Sequence, residues 1–508
     1  MKTNGIYIKK NKELGGLLRM SSYVLVGMQY GDEGKGSFVD FLANEQDIDS
    51  IVRFNGGSQA SHTVVTSEGM LHKFSQLGSG MFYSGTETYI TENVVVNLKN
   101  LYSEAEMFAQ ETGKPLEDIL KRIKIHEDCY MVTSYHILMN MLRELSMGEK
   151  RRGSVGTGVS EVRRILEEGK KENPNGELLG VQVKDLLDKN ALRVLKRKYR
   201  LLYKHVKRFY EKNCELIWRN TPNNLVQDLH RKIYFLLRNH EAYEIAANIY
   251  YNFFSIGEGK KLLENISIFQ GNAWEENEDK KILYEGAQGL LLDVKFGTRP
   301  NTTFLDTTAH FAYELNKNDS QITRIGVAKA FCSRHGLGAF PTEDSFLNRW
   351  LSDEHQTETF WNGKIRFGWF DAVLMRYAQK VNQVDVLYLS SMDQLDSLDT
   401  LKICHQYEYI GEVDEEFGRI FDYSYEENGI ILIHDIKEPS ERLGYYLANC
   451  IPQYLYGQGW KQKTAGIHTK EELPEVCLGY IRLLESLIKI PITVISVGST
   501  KEDKIRLK

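Results

Sequence analysis

A glycine-rich segment after an apolar run carries the residues with the clearest chemical potential. The run at 23–26 is followed by GDEGKG at 31–36 and then by a segment with helical spacing. Glycines let a backbone approach a phosphate, a helix N-terminus adds positive potential, and Lys35 adds a point charge. Gln29 stands where a Walker A loop has its first glycine, so the segment is not that motif. The pattern predicts phosphate or metal chemistry, with a generic glycine turn as the alternative.

Two further glycine-rich segments place a histidine and a carboxamide after predicted strands. GGSQASHT (56–63) contains His62, and EGAQG (285–289) contains Gln288. A histidine paired with an acid such as Asp32 can transfer protons in both directions, although a lone histidine is more often structural. The Gln288 carboxamide can both donate to and accept from a purine edge. Each segment alone is a weak signal, whereas the three in this order are a specific one.

The predicted elements bring these segments to one edge of a sheet. Strands end in similar loops at 281–289, 324–338, 384–393 and 492–500. Open α/β sheets bind ligands at the edge where such strand ends meet. We therefore predict an α/β fold with a large, mainly parallel central sheet flanked by helices.

We predict a single domain spanning residues 1–508. Residues 165–280 lose the glycine junctions and turn helical in periodicity, which predicts a helical insertion. Its basic stretch at 191–212 places Leu192, Leu195, Tyr199 and Leu202 on one stripe, and its charges predict a solvated face, or alternatively a face that binds anions or nucleic acid. Residues 1–19 are predicted to be an extension, unless translation starts at Met20.

Composition excludes several classes of protein. The 508 residues are 42% hydrophobic, which is ample for a large core, and the net charge of -5 gives no basic field for nucleic acid. The six cysteines form no CxxC pair, which favours free thiols in a reducing compartment. No apolar run approaches the roughly 20 residues needed to cross a bilayer, so we expect a cytoplasmic protein.

Taken in order, the three glycine-rich segments resemble those of the adenylosuccinate synthetase family, GTP-dependent ligases that join aspartate to IMP. Supporting segments are KAFCSRHGLGAFPTE (329–343), RFGWFDAVLMRYA (366–378) and ISVGS (495–499). The similarity runs from about Tyr23 to the C-terminus, apart from the helical insertion. It implies a P-loop-related fold, a homodimer, Mg²⁺ as cofactor, and GTP, IMP and aspartate as substrates.

The resemblance also implies a role for each matching residue. Asp32 would take the N1 proton of the purine so that its 6-oxygen attacks the γ-phosphate of GTP, while His62 acts as the matching acid and Gln288 holds the base. Asp32 and the Ser61 carbonyl would coordinate Mg²⁺. Asp393 matches the carboxylate that recognises guanine. The implied nucleotide-binding residues are Gly31, Glu33, Gly34, Lys35, Gly36, Gln59, Ser154, Thr157, Thr303, Asp393, Ser496 and Gly498.

Two loops near the acceptor depart from the family pattern. GGHNAGHT is GGSQASHT here, so Gln59 and Ser61 replace an asparagine and a glycine. GTTGRGIGP becomes GSVGTGVS at 153–160, where Ser154 and Thr157 are the expected phosphate contacts. These changes predict an altered pocket.

Two sets of arginines also depart from the family. The arginine that reaches the IMP phosphate across the family's dimer interface has two candidates here, Arg163 and Arg164. Where the family has four arginines before TGW, only Lys364 and Arg366 are cationic, and both are predicted to contact the amino acid. A register shift in this loop, or an amino acid other than aspartate, is equally open.

The leading hypothesis is ligation of aspartate to IMP through a 6-phosphoryl intermediate. One alternative is the same chemistry on dGMP or a modified purine nucleotide in a specialised or phage-related pathway. A phage relative that uses dGMP carries serine at the loop aspartate, so Asp32 favours an IMP-like acceptor. The other alternative, a purine nucleotide sensor without turnover, has no need of both Asp32 and His62.

Overall fold

The structure is a computed structural model that describes residues 22–153, 156–176, 178–275, 280–316, 322–351, 360–361 and 363–508. The predicted extension at 1–19 and the predicted phosphate contact Ser154 lie outside these ranges. Within them no helix is long and apolar enough to cross a membrane. All six cysteines are free, as predicted.

Twenty-two strands are formed in the described part of the chain. They are β1 (Ser22–Gly27), β2 (Ser50–Arg53), β3 (His62–Val65), β4 (Leu71–Phe74), β5 (Glu87–Ile90), β6 (Val95–Val96), β7 (Ile123–His126), β8 (Tyr130–Met131), β9 (Val181–Gln182), β10 (Ser267–Phe269), β11 (Ile282–Gly289), β12 (Ile322–Lys329), β13 (Cys332–His335), β14 (Ile365–Gly368), β15 (Phe370–Asp371), β16 (Val386–Ser390), β17 (Thr400–Tyr409), β18 (Phe421–Tyr425), β19 (Ile431–Ile436), β20 (Cys450–Gln458), β21 (Ile492–Ser496) and β22 (Lys504–Arg506).

Sixteen α-helices accompany them over the same described ranges. They are α1 (Lys35–Gln46), α2 (Leu98–Thr112), α3 (Leu116–Leu120), α4 (Ser134–Met147), α5 (Val159–Glu172), α6 (Lys184–Leu187), α7 (Ala191–Asn220), α8 (Asn223–Leu237), α9 (Ala242–Ser255), α10 (Lys260–Asn265), α11 (His310–Leu315), α12 (Ser345–Trp350), α13 (Ala372–Asn382), α14 (Phe417–Ile420), α15 (Leu443–Leu447) and α16 (Glu475–Ile488).

The apolar strands that end in glycine-rich loops form the middle of a ten-stranded sheet. Its order is β10-β7-β5-β2-β11-β1-β12-β16-β21-β22. Every pairing is parallel except β21 with β22. The six strands predicted to end in a ligand-binding loop are consecutive in this order, from β2 to β21. Their loops therefore meet at one edge, and the predicted mainly parallel α/β fold is confirmed.

Strand β1 is covered by apolar residues on both faces. Val24 and Val26 join one core cluster, while Leu25 points to the other face and joins the cluster that contains Phe38 of α1. Alternation of side chains along a strand produces this division, and burial of both faces explains why β1 reads as a continuous apolar run. The sheet thus fixes the loop after β1 from both sides.

The segment at 165–280 is mainly helical, as predicted, but it also includes β9 and ends at β10 on the edge of the large sheet. Leu195, Tyr199 and Leu202 of α7 are buried, and Leu192 is half-buried. The Tyr199 ring packs 5.8 Å from that of Tyr135 in α4. On the outer face of α7, Lys196 pairs with Glu244 of α9 and Arg208 with Glu172 of α5, which favours the prediction of a solvated face.

Smaller sheets flank the large one. Strands β13 and β14 form an antiparallel pair in which Arg334 faces Arg366 in register, and β3 pairs with β4. A further sheet has the order β15-β17-β19-β18, with β20 also paired to β17. The β3–β4 and β13–β14 pairs carry loops that enclose the carboxyl ends of the central strands.

Candidate active site

A cavity of about 1080 Å³ lies over the carboxyl ends of the six consecutive strands. Each strand contributes to its wall through the loop that follows it. Representative lining residues, in chain order, are Asp32, His62, Gln288, Lys329, Asp393 and Gly498. The position is the one where open parallel sheets bind ligands.

The GDEGKG segment forms the tight connection between β1 and α1. Gly31 and Gly34 have φ values of 87° and 81°, and Asp32 also adopts a left-handed conformation, with φ of 59°. Glu33 is fully buried and accepts hydrogen bonds from the backbone N–H of Gly31 (2.9 Å) and from Lys35 Nζ (2.6 Å). Glu33 thereby fixes the shape of the loop, and its predicted nucleotide contact stays a prediction.

Asp32 faces the cavity from this loop. Its Oδ2 lies 3.4 Å from Nε2 of His335, a cavity residue at the end of β13. His335 belongs to the segment 329–343, which supports the family resemblance, but the sequence predicted no role for this residue. The sequence signal available for it was a histidine followed by Gly336 and Gly338.

His62 is held by a buried carboxylate. Its Nδ1 lies 2.5 Å from Oε1 of Glu285, which also accepts from the Ser79 hydroxyl (2.5 Å) and backbone N–H (2.9 Å). Burial alone would raise the pKa of Glu285, but the positive charge of Arg53 and the bonds from His62 and Ser79 lower it to about 2. The ionised carboxylate fixes the proton on Nδ1 and leaves the other ring nitrogen for chemistry.

Burial lowers the pKa of His62, while the hydrogen bond and charge of Glu285 act in the opposite direction. Glu285 belongs to the EGAQG segment, of which only Gln288 was singled out from sequence. The two residues are 223 positions apart, so the dyad has no local sequence signature. The sequence feature that could have indicated the dyad was an acid, Glu285, directly after the apolar run 282–284.

The EGAQG segment packs directly against GDEGKG. A Cβ on Gly289 would lie 2.3 Å from the Gln29 carbonyl oxygen and 2.5 Å from the Gly31 nitrogen, so only glycine fits. Gln288 has a φ of 62°, in the left-handed region that a non-glycine residue rarely adopts, and lines the cavity. The structure thus brings Asp32, His62 and Gln288 together, as predicted from sequence.

Gln59 lines the cavity with a carboxamide that is not satisfied by the chain. Both its Oε1 and Nε2 are buried and lack a hydrogen-bond partner. Buried amides are normally hydrogen-bonded, so this group has capacity for a ligand. Ser61, Thr157 and Thr303 line the same cavity.

The two candidates for the arginine that contacts the IMP phosphate lie in different surroundings. Arg164 lines the cavity from α5, whereas Arg163 donates through Nη2 to the backbone carbonyls of Glu92 (3.3 Å) and Asn93 (2.9 Å). Arg152 also lines the cavity and was not singled out from sequence, because a charge in a polar loop gives no sign of its direction.

The predicted guanine end is formed by the loops after β16 and β21. Asp393, Ser496 and Gly498 line the cavity together with Lys504. Burial raises the pKa of Asp393 to about 6, and burial also lowers that of Lys504 to about 8 against the opposing charge of Asp503. Partial burial of a carboxylate beside an amine suits recognition of a base edge that has N–H donors.

Lys364 and Arg366, the predicted amino-acid contacts, are not among the cavity residues. Arg366 donates to the carbonyls of Gly336 (3.1 Å) and Gly338 (3.0 Å) and to Glu343 Oε2 (2.8 Å). Its guanidinium therefore secures the loop between β13 and α12. The nearby threonines at 357 and 359 lie outside the described residues.

The predicted Mg²⁺ ligands fit a hard cation. Asp32 presents a carboxylate to the cavity that Ser61 also lines, and a magnesium ion commonly takes one or two carboxylates together with substrate phosphates. Among the described residues no group of three or more His, Cys, Asp or Glu side chains is placed to hold a metal.

The chain is similar in sequence to proteins of one known family. A model of the family "Adenylosuccinate synthetase" matches residues 24–505. The adenylosuccinate synthetase of Synechococcus elongatus is 31% identical over 495 residues, covering 96% of this chain and 95% of that protein. The one from Exiguobacterium is 29% identical over 496 residues, with 96% and 99% covered.

Solved structures share the fold at lower identity. Fully ligated adenylosuccinate synthetase from Plasmodium falciparum has a TM-score of 0.74 at 22% identity, covering 96% of this chain and all of that one. The succinoaminodeoxyadenylate synthetase of cyanophage S-2L, bound to dGMP and dATP, has a TM-score of 0.53 at 14% identity, with 96% and 95% covered.

Proposed function

The chain belongs to the adenylosuccinate synthetase family and is a ligase of that type, and from this premise we propose that it joins L-aspartate to IMP through a 6-phosphoryl-IMP intermediate. The products are adenylosuccinate, GDP and phosphate. The observation that carries the proposal is the convergence of Asp32 and the Glu285-held His62 on one cavity at the strand ends.

In the first step Asp32 takes the N1 proton of IMP. The electron pair moves to the 6-oxygen, which bonds to the γ-phosphorus of GTP while the bond from that phosphorus to the β-phosphate oxygen breaks. GDP leaves with that electron pair. Positioning and electrostatics supply most of the rate in phosphoryl transfer, and the loop after β1, whose shape is fixed by the buried Glu33, provides a fixed base.

His62 acts on the transferred group. With Nδ1–H donated to Glu285, the protonated ring directs Nε2–H to a phosphoryl oxygen, and the ionised Glu285 stabilises the imidazolium. In the second step the aspartate amino nitrogen bonds to C6 and the C6–O bond breaks. Phosphate leaves with that electron pair and accepts the proton that the new nitrogen substituent loses.

Asp32 and the Ser61 carbonyl would hold Mg²⁺, whose charge neutralises the nucleotide phosphates. Lys35 and the glycine amides beside it would bind those phosphates, while Asp393 would accept from guanine. Gln59, Gln288 and Thr303 would bind IMP. The aspartate contacts Lys364 and Arg366 and the homodimer stay predictions.

The test is turnover by purified protein with GTP, Mg²⁺, IMP and aspartate, scored by chromatography for adenylosuccinate and GDP. Asp32→Asn keeps the side-chain shape and removes the base, so we expect product formation to fall by a factor of about 100 to 10,000. Gln46→Glu, which alters a cavity-distant helix end, is the matched control.

Product that forms equally well in Asp32→Asn would refute the assigned base. Absence of product with wild-type protein, while GTP and IMP both bind, would refute the assigned acceptor or amino acid. The same assay with dGMP in place of IMP then separates the two purine classes.

A further inference from the structure

The segment 75–79, directly after β4, is largely buried and forms neither helix nor strand. Glu104 of α2 accepts from its first three backbone N–H groups, those of Ser75 (2.8 Å), Gln76 (2.9 Å) and Leu77 (3.1 Å). Buried backbone N–H groups need partners, and outside regular structure side chains or water supply them. A single carboxylate here replaces the partners that a neighbouring strand would supply.

The central sheet holds the middle of the segment. The N–H of Gly78 donates to Thr88 Oγ1 of β5 (2.9 Å), and the Leu77 carbonyl accepts from Arg53 Nη1 of β2 (2.9 Å). Both side chains are buried, so neither bond competes with bulk water. The segment is therefore anchored to the sheet on one side and to α2 on the other.

The end of the segment contacts the dyad of Glu285 and His62. Ser79 donates to Glu285 through its N–H (2.9 Å) and its hydroxyl (2.5 Å), and Glu285 binds Nδ1 of His62. All five N–H groups of the segment are thus bound by side chains. The segment also continues β4, whose Phe74 pairs with His62 across the β3–β4 hairpin. A displacement of the segment would move both the Ser79 donor and the strand beside His62.

A carboxylate at position 104 is disfavoured by its surroundings. Burial raises the pKa of Glu104 to about 7, although the three N–H bonds and the charge of Arg53 act in the opposite direction. The charge of Arg53 also lowers the pKa of Glu285, so one buried cation acts on both acids. A buried acid that must be stabilised in this way indicates a role beyond packing.

We propose that Glu104 is a positioning residue for the Glu285–His62 dyad. It fixes segment 75–79, which in turn fixes Glu285 through Ser79 and His62 through β4. Misplacement of a reacting group by about 1 Å can cost about 100-fold in rate, so such a support controls turnover without contacting substrate. That the dyad acts on the transferred phosphoryl group rests on the proposed function.

The first experiment compares Glu104→Gln with wild-type protein in steady-state kinetics. The amide keeps the side-chain shape, loses the charge and turns N–H groups toward a backbone donor, so kcat should fall by about 10-fold to 100-fold. The KM for IMP should change by less than about threefold, because Glu104 does not line the cavity. Unchanged kinetics, or a raised KM with intact kcat, would overturn the proposal.

Asp371→Asn is the matched control. Asp371 is also a buried carboxylate, bound by the Leu374 N–H (3.1 Å) and the Tyr407 hydroxyl (2.7 Å), and burial raises its pKa to about 6. It does not line the cavity, so its loss should lower stability toward denaturant and leave kcat unchanged. An equal loss of kcat in this control would reduce the effect at Glu104 to general destabilisation and overturn the proposal.

A double-mutant cycle tests whether Glu104 acts through the dyad. In a His62→Asn background the positioned ring is absent, so adding Glu104→Gln should lower kcat by less than about threefold further. A full additional loss in the double variant would mean that Glu104 acts independently of His62, against the proposal.

A measurement without turnover separates this inference from the proposed function. In protein carrying isotope-labelled histidine, proton–nitrogen NMR detects the Nδ1–H of His62, which is identified by its loss in His62→Asn. Glu104→Gln should move this signal in the direction in which Glu285→Gln moves it. If IMP gives no turnover but the signal moves, the assigned reaction fails and the positioning role stands. A signal that stays in place overturns the positioning role.

Thr88→Val perturbs the same segment from its other side. It removes the acceptor of the Gly78 N–H and keeps the side-chain shape, so kcat should fall about threefold to tenfold. If Glu104→Gln does not fold, this variant decides the proposal, and an unchanged kcat together with an unmoved His62 signal would overturn it.

Discussion

Two parts of the cavity differ in whether their buried polar groups have hydrogen-bond partners within the chain: the part around His62, and the part lined by Gln59, Arg152 and Arg164. Where we propose proton transfer, Nδ1 of His62 is bound by Glu285. Where the nucleotide is expected to bind, Gln59 and the two cavity arginines keep buried atoms without partners. The chain fixes the groups that need one geometry and leaves unused donors and acceptors where substrate supplies the partner.

The largest effect should come from disrupting the hydrogen bond between Glu285 and His62. Glu285→Gln removes the charge that orients and stabilises protonated His62, so we expect kcat to fall by about 100-fold to 1,000-fold. The KM for IMP should change by less than about threefold. Steady-state kinetics across pH measures both, and circular dichroism confirms folding.

Ser79→Ala is a milder companion to that variant. It removes one hydrogen bond to Glu285 but keeps the carboxylate charge, so a loss of about threefold to tenfold is expected. If Glu285→Gln alters KM and leaves kcat intact, Glu285 supports the pocket and does not position His62.

The next effect concerns pH at the guanine end. Burial raises the pKa of Asp393 to about 6, and only the ionised carboxylate can accept from two guanine N–H groups. The preference for GTP is therefore present above pH 6 and is lost as pH falls through that value. The ratio of kcat/KM for GTP to that for ATP should drop about tenfold per pH unit below 6.

Using a ratio cancels the titration of the triphosphate, which both nucleotides share. Asp393→Asn should give a low ratio that does not vary with pH. A wild-type ratio that stays constant from pH 7.5 to pH 5 would contradict the assignment of Asp393.

The smallest effect sharpens the comparison through stability. Gln59→Met removes two buried polar atoms without partners, so the free energy of unfolding should rise by about 1 kcal/mol while IMP binding weakens about tenfold. Denaturant titration and calorimetry measure the two quantities.

Gln29→Met is the matched control, because the Gln29 carboxamide accepts from Lys329 N–H (2.9 Å) and donates to the Phe331 carbonyl (3.1 Å). There the same substitution should destabilise the protein by about 2 kcal/mol. Equal shifts at the two positions would remove the contrast between satisfied and unsatisfied carboxamides.

The sequence was sufficient for the sheet and for the residues that follow its strands. A buried parallel strand reads as an apolar run, and the glycine loop after it marks the edge where ligands bind, so Asp32, His62 and Gln288 were found without coordinates. The periodicity of residues 165–280 likewise predicted their mainly helical structure, but it did not predict strand β10.

Hydrogen-bond partners that are distant in sequence could not be predicted. Glu285 reaches His62 across 223 positions, and Arg366 was predicted to bind substrate but donates to the loop carbonyls of Gly336 and Gly338. The hydrogen bonds of Glu33 to Gly31 and Lys35 were equally hidden, because a carboxylate between glycines looks the same from sequence whether it faces the cavity or the loop behind it. Direction is decided by packing, which local patterns do not encode.

The residues that line the cavity come from both ends of the described chain, which has a consequence for folding during protein synthesis. Asp32 follows β1 near the start, while Gly498 follows β21, which must pair with β16 before its loop takes its place. A nascent chain on the ribosome therefore has no complete nucleotide site until its last strands emerge. Under the proposed function, GTP and IMP would protect the finished protein from proteolysis and would not stabilise folding intermediates that lack these strands.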